Sequence, residues 1–280
     1  MKKNSKTTDA KGFDMEEKKL YKIALLIDAE NVSTSYMKSI FDELAKYGDV
    51  TFKRIYGDWT NQNMSRWKTP ISEYALMPVQ QFQNTTSKNS SDSALIIDAM
   101  DILYSDSVNC FCIVSSDSDF TRLITRMRED GNYVIGMGEK KAPKPLVRVC
   151  DKFVYLDVIS EASENTDKAE KKTQPSSKSQ KANSVQEKPK SRSVNRKTSA
   201  LEKDKIDAAM KIIDEISGDD GYANFSEVYN RLTKLYSDMD AANYGYAKAS
   251  DLFAACDAFI LKKESSNGNK AFHVLIRVNE

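Results

Sequence analysis

The 280-residue sequence predicts an α/β domain, a parallel sheet with helices on both faces, followed by a small winged-helix domain. Three observations carry that prediction. Between residues 21 and 158, short apolar runs alternate with amphipathic helical patterns, the order expected when helices cover a buried parallel sheet. Residues 161–200 hold no aromatic residue, leucine or isoleucine and much Lys, Ser, Gln and Asn, too little apolar area to offset the entropy of ordering. After them come three helical patterns and two strand-like runs, as in a winged helix. The expected division is a disordered tail (1–20), an α/β domain (21–158), a disordered linker (159–200) and a second domain (201–280).

The elements follow in order. "KIALLID" (22–28) is a continuous apolar run ending in Asp28, a buried strand. "STSYMKSIFDELAKYG" (33–48) opens on Ser/Thr caps and closes on Gly48, a helix. "VTFKRIYG" (50–57) reads as a strand, "NMSRWKTPISEYA" (63–75) as a helix broken at Pro70, and "LMPVQQF" (76–82) as extended. "SSDSALIIDAMDILYS" (90–105) is a capped helix and "NCFCIVSS" (109–116) a strand. "DFTRLITRMREDG" (119–131) is a helix ending at Gly131, and "NYVIGMG" (132–138) a strand. "PKPLVRVCD" (143–151) is a helix opening after prolines, and "KFVYLDV" (152–158) a last strand. In the second domain, helices are expected over 202–217, 224–236 and 247–259, with a hairpin from 260–264 and 271–278.

Composition narrows the chemistry. No apolar run reaches the length of a membrane span, and the lysine-bearing N-terminus lacks the apolar segment of a signal peptide, which points to a cytoplasmic protein. The four cysteines form no CxxC pair, and His273 is the only histidine, a surface or half-buried residue in a terminal strand. Zinc sites and a Ser-His-Asp triad are therefore set aside. Metal chemistry here must rest on carboxylates, which prefer hard cations. The net charge of +1 hides basic tail and linker segments beside mildly acidic domains.

In an open parallel sheet, sites form beyond the carboxyl ends of the strands. Asp28 ends the first strand there, and Asp117 and Asp119 follow the fourth. On a helical wheel with Asp92 at 0°, Leu95, Ile96, Ala99, Met100, Ile102 and Leu103 cluster about the same direction, which places Asp92 on the buried face of its first turn. Asp98, at about 240°, and Asp101, at about 180°, point away. Clustered carboxylates raise one another's pKa unless a counter-charge neutralises them, and Mg²⁺ or Mn²⁺ is the usual one. Ser115, Ser116, Ser118 and Asn31 would supply neutral hydrogen bonds. Asp119 also reads as an ordinary N-cap or first-turn residue of the helix, whereas capping explains Asp117 least well.

"LLIDAENV", "IYGDW", "KNSSDSALIIDAMDIL", "IVSSDSDFTRLITRMREDGNYVIGMGEKKAP" and "VCDKFVYLD" together resemble the NYN domain, the LabA-like branch of the PIN-like ribonucleases. The resemblance spans nearly all of 21–158. It implies a Rossmann-like PIN fold and an acidic Mg²⁺/Mn²⁺ pocket that cleaves RNA. The family's site positions fall on Asp28, Asn31, Asp92, Asp117 and Asp119; Asp98, a further recurrent family position, and Ser116, a hydrogen-bonding neighbour of the pocket, stand in second rank. A single-stranded RNA path needs cations and stacking surfaces beside the pocket. Lys88, Arg66, Trp67, Lys140 and Lys141 are the candidates, with Trp59, Lys68 and Lys144 nearby; the tryptophans read equally as core.

In the second domain, "GYANFSEVYNRLTKLYSDMDAANYGYAKASDLF" resembles the OST-HTH/LOTUS domain. That family implies RNA binding or a protein partner. Tyr244, Gly245, Tyr246 and Lys248 fill its recurring motif, and packing of the last helix is the competing account of them. The expectation is a metal-dependent ribonuclease with an RNA-binding module, with self-association left open. The alternative is a non-catalytic RNA-binding adaptor. A phosphotransfer receiver would need an aspartate on the third strand and a later lysine, and the spacing supplies neither.

Overall fold

The computed structural model describes residues 20–82, 90–161, 200–265 and 272–279. Lys88 and nearly all of the expected tail and linker lie outside these residues. The first domain runs β1 (Tyr21–Asp28), α1 (Met37–Leu44), β2 (Gly48–Gly57), α2 (Lys68–Glu73), β3 (Met77–Gln80), α3 (Ser90–Tyr104), β4 (Cys110–Val114), α4 (Thr121–Glu129), β5 (Tyr133–Gly138), α5 (Lys144–Val149) and β6 (Lys152–Tyr155). Helix α6 opens at residue 156 and is described to 161. The second domain holds α7 (Lys203–Ile216), β7 (Ala223–Asn224), α8 (Phe225–Leu235), α9 (Ala249–Ala254), β8 (Phe259–Ser265) and β9 (Phe272–Val278).

The first sheet is parallel throughout, in the order β3-β2-β1-β4-β5-β6. Side chains alternate across a strand, so one apolar run feeds two cores. Ile23, Leu25 and Ile27 of β1 face one cluster with Cys112, Ile135 and Val154, covered by Met37, Ile40 and Leu44 of α1. Ala24 and Leu26 face the other with Phe111, Ile113 and Val134, covered by α3, α4 and α5 through Leu95, Leu123 and Leu146. Each fully buried aliphatic side chain contributes about 1.5–3 kcal/mol through lost apolar hydration. This double coverage is why the strands read as continuous apolar runs. Cys110, Cys112 and Cys150 are buried and unbridged, and burial pushes the Cys110 and Cys150 thiols up to about 12.

Several boundaries differ from expectation. The helix expected to close on Gly48 ends at Leu44, and Gly48 opens β2. A Cβ there would stand 2.0 Å from the Tyr21 carbonyl oxygen, so close strand approach is what demands the glycine. Pro70 does not break its helix. It lies in the first turn of α2, where its missing N–H costs nothing, and the irregularity is the 3-10 segment Gln62–Trp67 before it. The last strand stops at Tyr155, because buried Leu156 and Ile159 are spaced for a helical turn against the first core.

The second domain packs α7, α8 and α9 against an antiparallel sheet of order β7-β9-β8, through Ile212, Val228, Leu232, Phe253, Phe259 and Ile276. The two-residue β7 and the 3-10 segment Ala241–Tyr244 were not anticipated; both are too short to carry a periodic signal. Among the described residues no helix is long and apolar enough to cross a membrane.

Candidate metal centre

Strand order reverses between β1 and β4, which leaves a crevice beyond their carboxyl ends. Asp28 closes β1 at its floor and is 1% exposed. Its Oδ1 accepts the backbone N–H groups of Glu30 (3.1 Å) and Asn31 (3.3 Å). Its Oδ2 accepts Asn31 Nδ2 (2.7 Å) and Ser115 Oγ (2.9 Å). Burial raises the Asp28 pKa, and these four bonds offset part of that rise. Ser115 Oγ, itself buried, also accepts the Asp117 N–H at 3.1 Å, so one hydroxyl ties the ends of β1 and β4 together.

Asp117 caps the 3-10 turn Ser118–Phe120 by accepting the Asp119 N–H at 2.9 Å. Capping thus falls to Asp117, and Asp119 sits in the first turn; the 3-10 turn before α4 shifts the cap by two residues. Asp92 is buried in the first turn of α3, on the face the wheel assigns to it. Carboxylate oxygens of Asp92, Asp117 and Asp119 lie within 4.8 Å of one another. Asp92 is pushed up to about 6, first by burial and then by the charges of Asp28, Asp117, Asp119 and Glu30. Glu30 is a neighbour that sequence reasoning missed, since it follows the strand and belongs to no periodic pattern. An all-oxygen, all-carboxylate set suits a hard divalent cation, whose ligand oxygens lie about 2.0–2.6 Å from it. Asp28 stands outside this three-residue group, its oxygens engaged as described.

The other site expectations scatter. Asn31 is exposed but aims its amide at Asp28. Ser116 accepts the Glu139 N–H at 3.0 Å and joins β4 to β5; a Cβ on Gly138 would meet its Oγ at 2.9 Å. Asp98, which the wheel turns away from Asp92, is half-buried, because it pairs with Arg54 and accepts the Tyr56 hydroxyl across the face of β2. Trp67 is 0% exposed and donates Nε1 to the Ala29 carbonyl at 3.2 Å, so it braces the residue after Asp28 and shows no face to a base. Trp59 is half-buried, its Nε1 on the Val79 carbonyl at 2.9 Å. Arg66, Lys68, Lys140, Lys141 and Lys144 are exposed, with Lys141 paired to Glu139 at 2.7 Å. In the second domain Tyr244 is buried, donating to Glu202 at 2.5 Å and accepting from Lys205 at 2.6 Å, while Tyr246 is half-buried and Lys248 exposed. His273 is exposed on β9.

Residues 22–157 match the NYN domain, and residues 200–271 match the OST-HTH/LOTUS domain. An uncharacterized protein of Methanocaldococcus jannaschii, MJ0482, is 27% identical over 122 residues, covering 42% of this chain and 48% of that relative. The chain thus spans about half the length of that curated relative. Among solved structures, VPA0982 of Vibrio parahaemolyticus, a protein of unknown function, is 20% identical with a TM-score of 0.42, over 49% of this chain and 93% of that one. An uncharacterized Nitrosomonas europaea protein from locus NE0665 is 28% identical with a TM-score of 0.27, over 37% and 93%. The chain carries an NYN domain followed by an OST-HTH/LOTUS domain, in the order its motifs occur.

Proposed function

We propose that this protein is a metal-dependent ribonuclease, in which the NYN domain hydrolyses RNA phosphodiesters and the OST-HTH/LOTUS domain binds RNA. The single observation that carries the reading is the group of Asp92, Asp117 and Asp119 at the switch point, with Asp92 pushed up to about 6 by burial and its acidic neighbours. A pocket that disfavours the charged form of Asp92 in this way is one that a bound cation would relieve. Mg²⁺ or Mn²⁺ fits the oxygen donors and would supply Lewis-acid polarisation of the phosphate and activation of water.

The chain's own residues do the rest. Asp92, Asp117 and Asp119 hold the cation. Asp28, held by Asn31, adds negative charge at the floor and through Ser115 sets the position of the Asp117 backbone. Trp67 fixes Ala29 and with it the exit of β1. Exposed Arg66, Lys140 and Lys141 are the candidate phosphate contacts, alongside Lys88, which lies outside the described residues, and Tyr246 and Lys248 in the second domain. The adaptor alternative keeps the RNA contacts and lacks cleavage.

Cleavage of a labelled single-stranded RNA by the full chain with Mn²⁺ or Mg²⁺ tests the reading. Wild type should cleave, and Asp28→Asn and Asp117→Asn should each lose most activity. Unchanged cleavage in both variants would remove the pocket from the account. RNA binding with no metal-dependent cleavage would favour the adaptor.

A further inference from the structure

Strand β6 is the last of its sheet, and an edge strand leaves alternate backbone groups without a partner. Here those groups are met by the second domain. The Phe153 N–H donates to the Ser237 carbonyl at 2.8 Å. The Phe153 carbonyl accepts Asn243 Nδ2 at 2.9 Å, and the Tyr155 N–H donates to Asn243 Oδ1 at 2.9 Å. Asn243 is 2% exposed, and its amide imitates the peptide group of a neighbouring strand. Around it, Ser237 Oγ donates to the Val147 carbonyl at 2.6 Å, Tyr155 Oη donates to Asp238 at 3.0 Å, and Lys152 pairs with Asp240. The 237–243 segment is itself braced from behind. Lys205, 4% exposed, pairs with Asp238 at 2.9 Å and donates to Tyr244 at 2.6 Å.

Strand register says where this joint lies relative to the pocket. Ile27 pairs with Val114, Val114 with Met137, and Met137 with Val154, so the docking residues Phe153 and Tyr155 flank the row one residue before Asp28. Three strand steps separate β1 from β6, about 14 Å at ~4.8 Å per step.

We propose that the second domain is docked rather than merely tethered: residues 237–243 close the edge of β6 and fix the RNA-binding module at a set offset from the acidic pocket. The positional role rests on the ribonuclease reading; the docking does not. RNA held on the second domain then enters the pocket at a constant spacing, which would confine cleavage to a narrow range of positions. Asn243 and Tyr244 belong to this joint and its bracing, which leaves Tyr246, Lys248 and the β8–β9 face for RNA.

Amide hydrogen exchange on the full chain reads the joint directly. Phe153 and Tyr155 should be protected in wild type. Lys152→Glu sets two carboxylates against each other and should speed exchange at both amides at least tenfold, with the amides of β1 and β4 unchanged as the control for folding. Adding Asp240→Asn removes the repulsion while keeping an acceptor for the Ala242 N–H, now 2.9 Å from Asp240, and should recover most of the protection. Free exchange at Phe153 and Tyr155 in wild type, or unchanged protection in Lys152→Glu, would overturn the docking. On one RNA, Lys152→Glu should broaden the set of cleavage positions; an unaltered set would overturn the positional role. Absence of cleavage in every variant would end the ribonuclease reading and that role together, leaving the exchange result to stand alone.

Discussion

Replacing Asp92 by asparagine keeps the side chain's shape and removes one charge from a group of carboxylates. Burial and the charges of Asp28, Asp117, Asp119 and Glu30 push this carboxyl up to about 6 from an ordinary 3.8. The native state therefore holds a proton that the unfolded chain has released, and stability without metal falls as pH rises from about 4 to 6. At pH 7 the cost is fully expressed. At ~1.36 kcal/mol per pH unit the gap corresponds to roughly 3 kcal/mol, and solvent at the pocket mouth screens it to roughly 1–2 kcal/mol. Asp92→Asn should accordingly raise the melting temperature of the metal-free chain at pH 7 by about 2–8 °C. With millimolar Mn²⁺ the order should invert, because wild type gains stability from the bound ion and the variant has lost a ligand. Differential scanning calorimetry with chelator and with Mn²⁺ reads both arms. A variant less stable than wild type in chelator would instead make Asp92 an ordinary structural acceptor, with no charge penalty to relieve.

Three other predictions follow from the same geometry. Mn²⁺ affinity should rise about tenfold per pH unit below about 6 and level off above it, as the Asp92 proton stops competing; calorimetric titration from pH 5 to 7.5 checks this. Ser115→Ala leaves Asp28 and the Asp117 N–H each short of a partner and should cost about 1–3 kcal/mol in denaturant unfolding, with an even larger proportional loss of cleavage than of RNA affinity. Trp67→Ala should destabilise the fold by about 3–5 kcal/mol, while Trp67→Phe costs less by keeping most of the buried area. A Trp67→Ala chain that unfolds like wild type but loses RNA would return that residue to the surface.

Much of the fold was legible because buried parallel strands and their covering helices write different periods into the chain. β1, β4 and β5 read directly as apolar runs, and α3 declared which face of it carries Asp92. What escaped was set by contacts distant in sequence. Gly48 reads as a helix terminator, yet what it meets is the Tyr21 backbone across a strand pair. "KFVYLDV" is apolar enough for either period, and only Leu156 and Ile159 reaching the first core settle where β6 turns helical. Within the site, the placement of Asp92, Asp117 and Asp119 beyond the strand ends was readable, whereas the cap at Asp117 depended on a 3-10 turn that leaves no periodic mark. Trp67 and Tyr244 show the opposite limit. An aromatic beside basic residues carries the same letters whether it stacks on a base or, as here, braces Ala29 or Lys205 from the interior.

The most direct measurement is anomalous scattering from crystals of the full chain grown with Mn²⁺. A metal-holding pocket gives a peak about 2.0–2.2 Å from carboxylate oxygens of Asp92, Asp117 and Asp119, lost in Asp117→Asn. A fully occupied Mn²⁺ elsewhere with this pocket bare, or a peak at this pocket that persists unchanged in Asp117→Asn, would contradict that role.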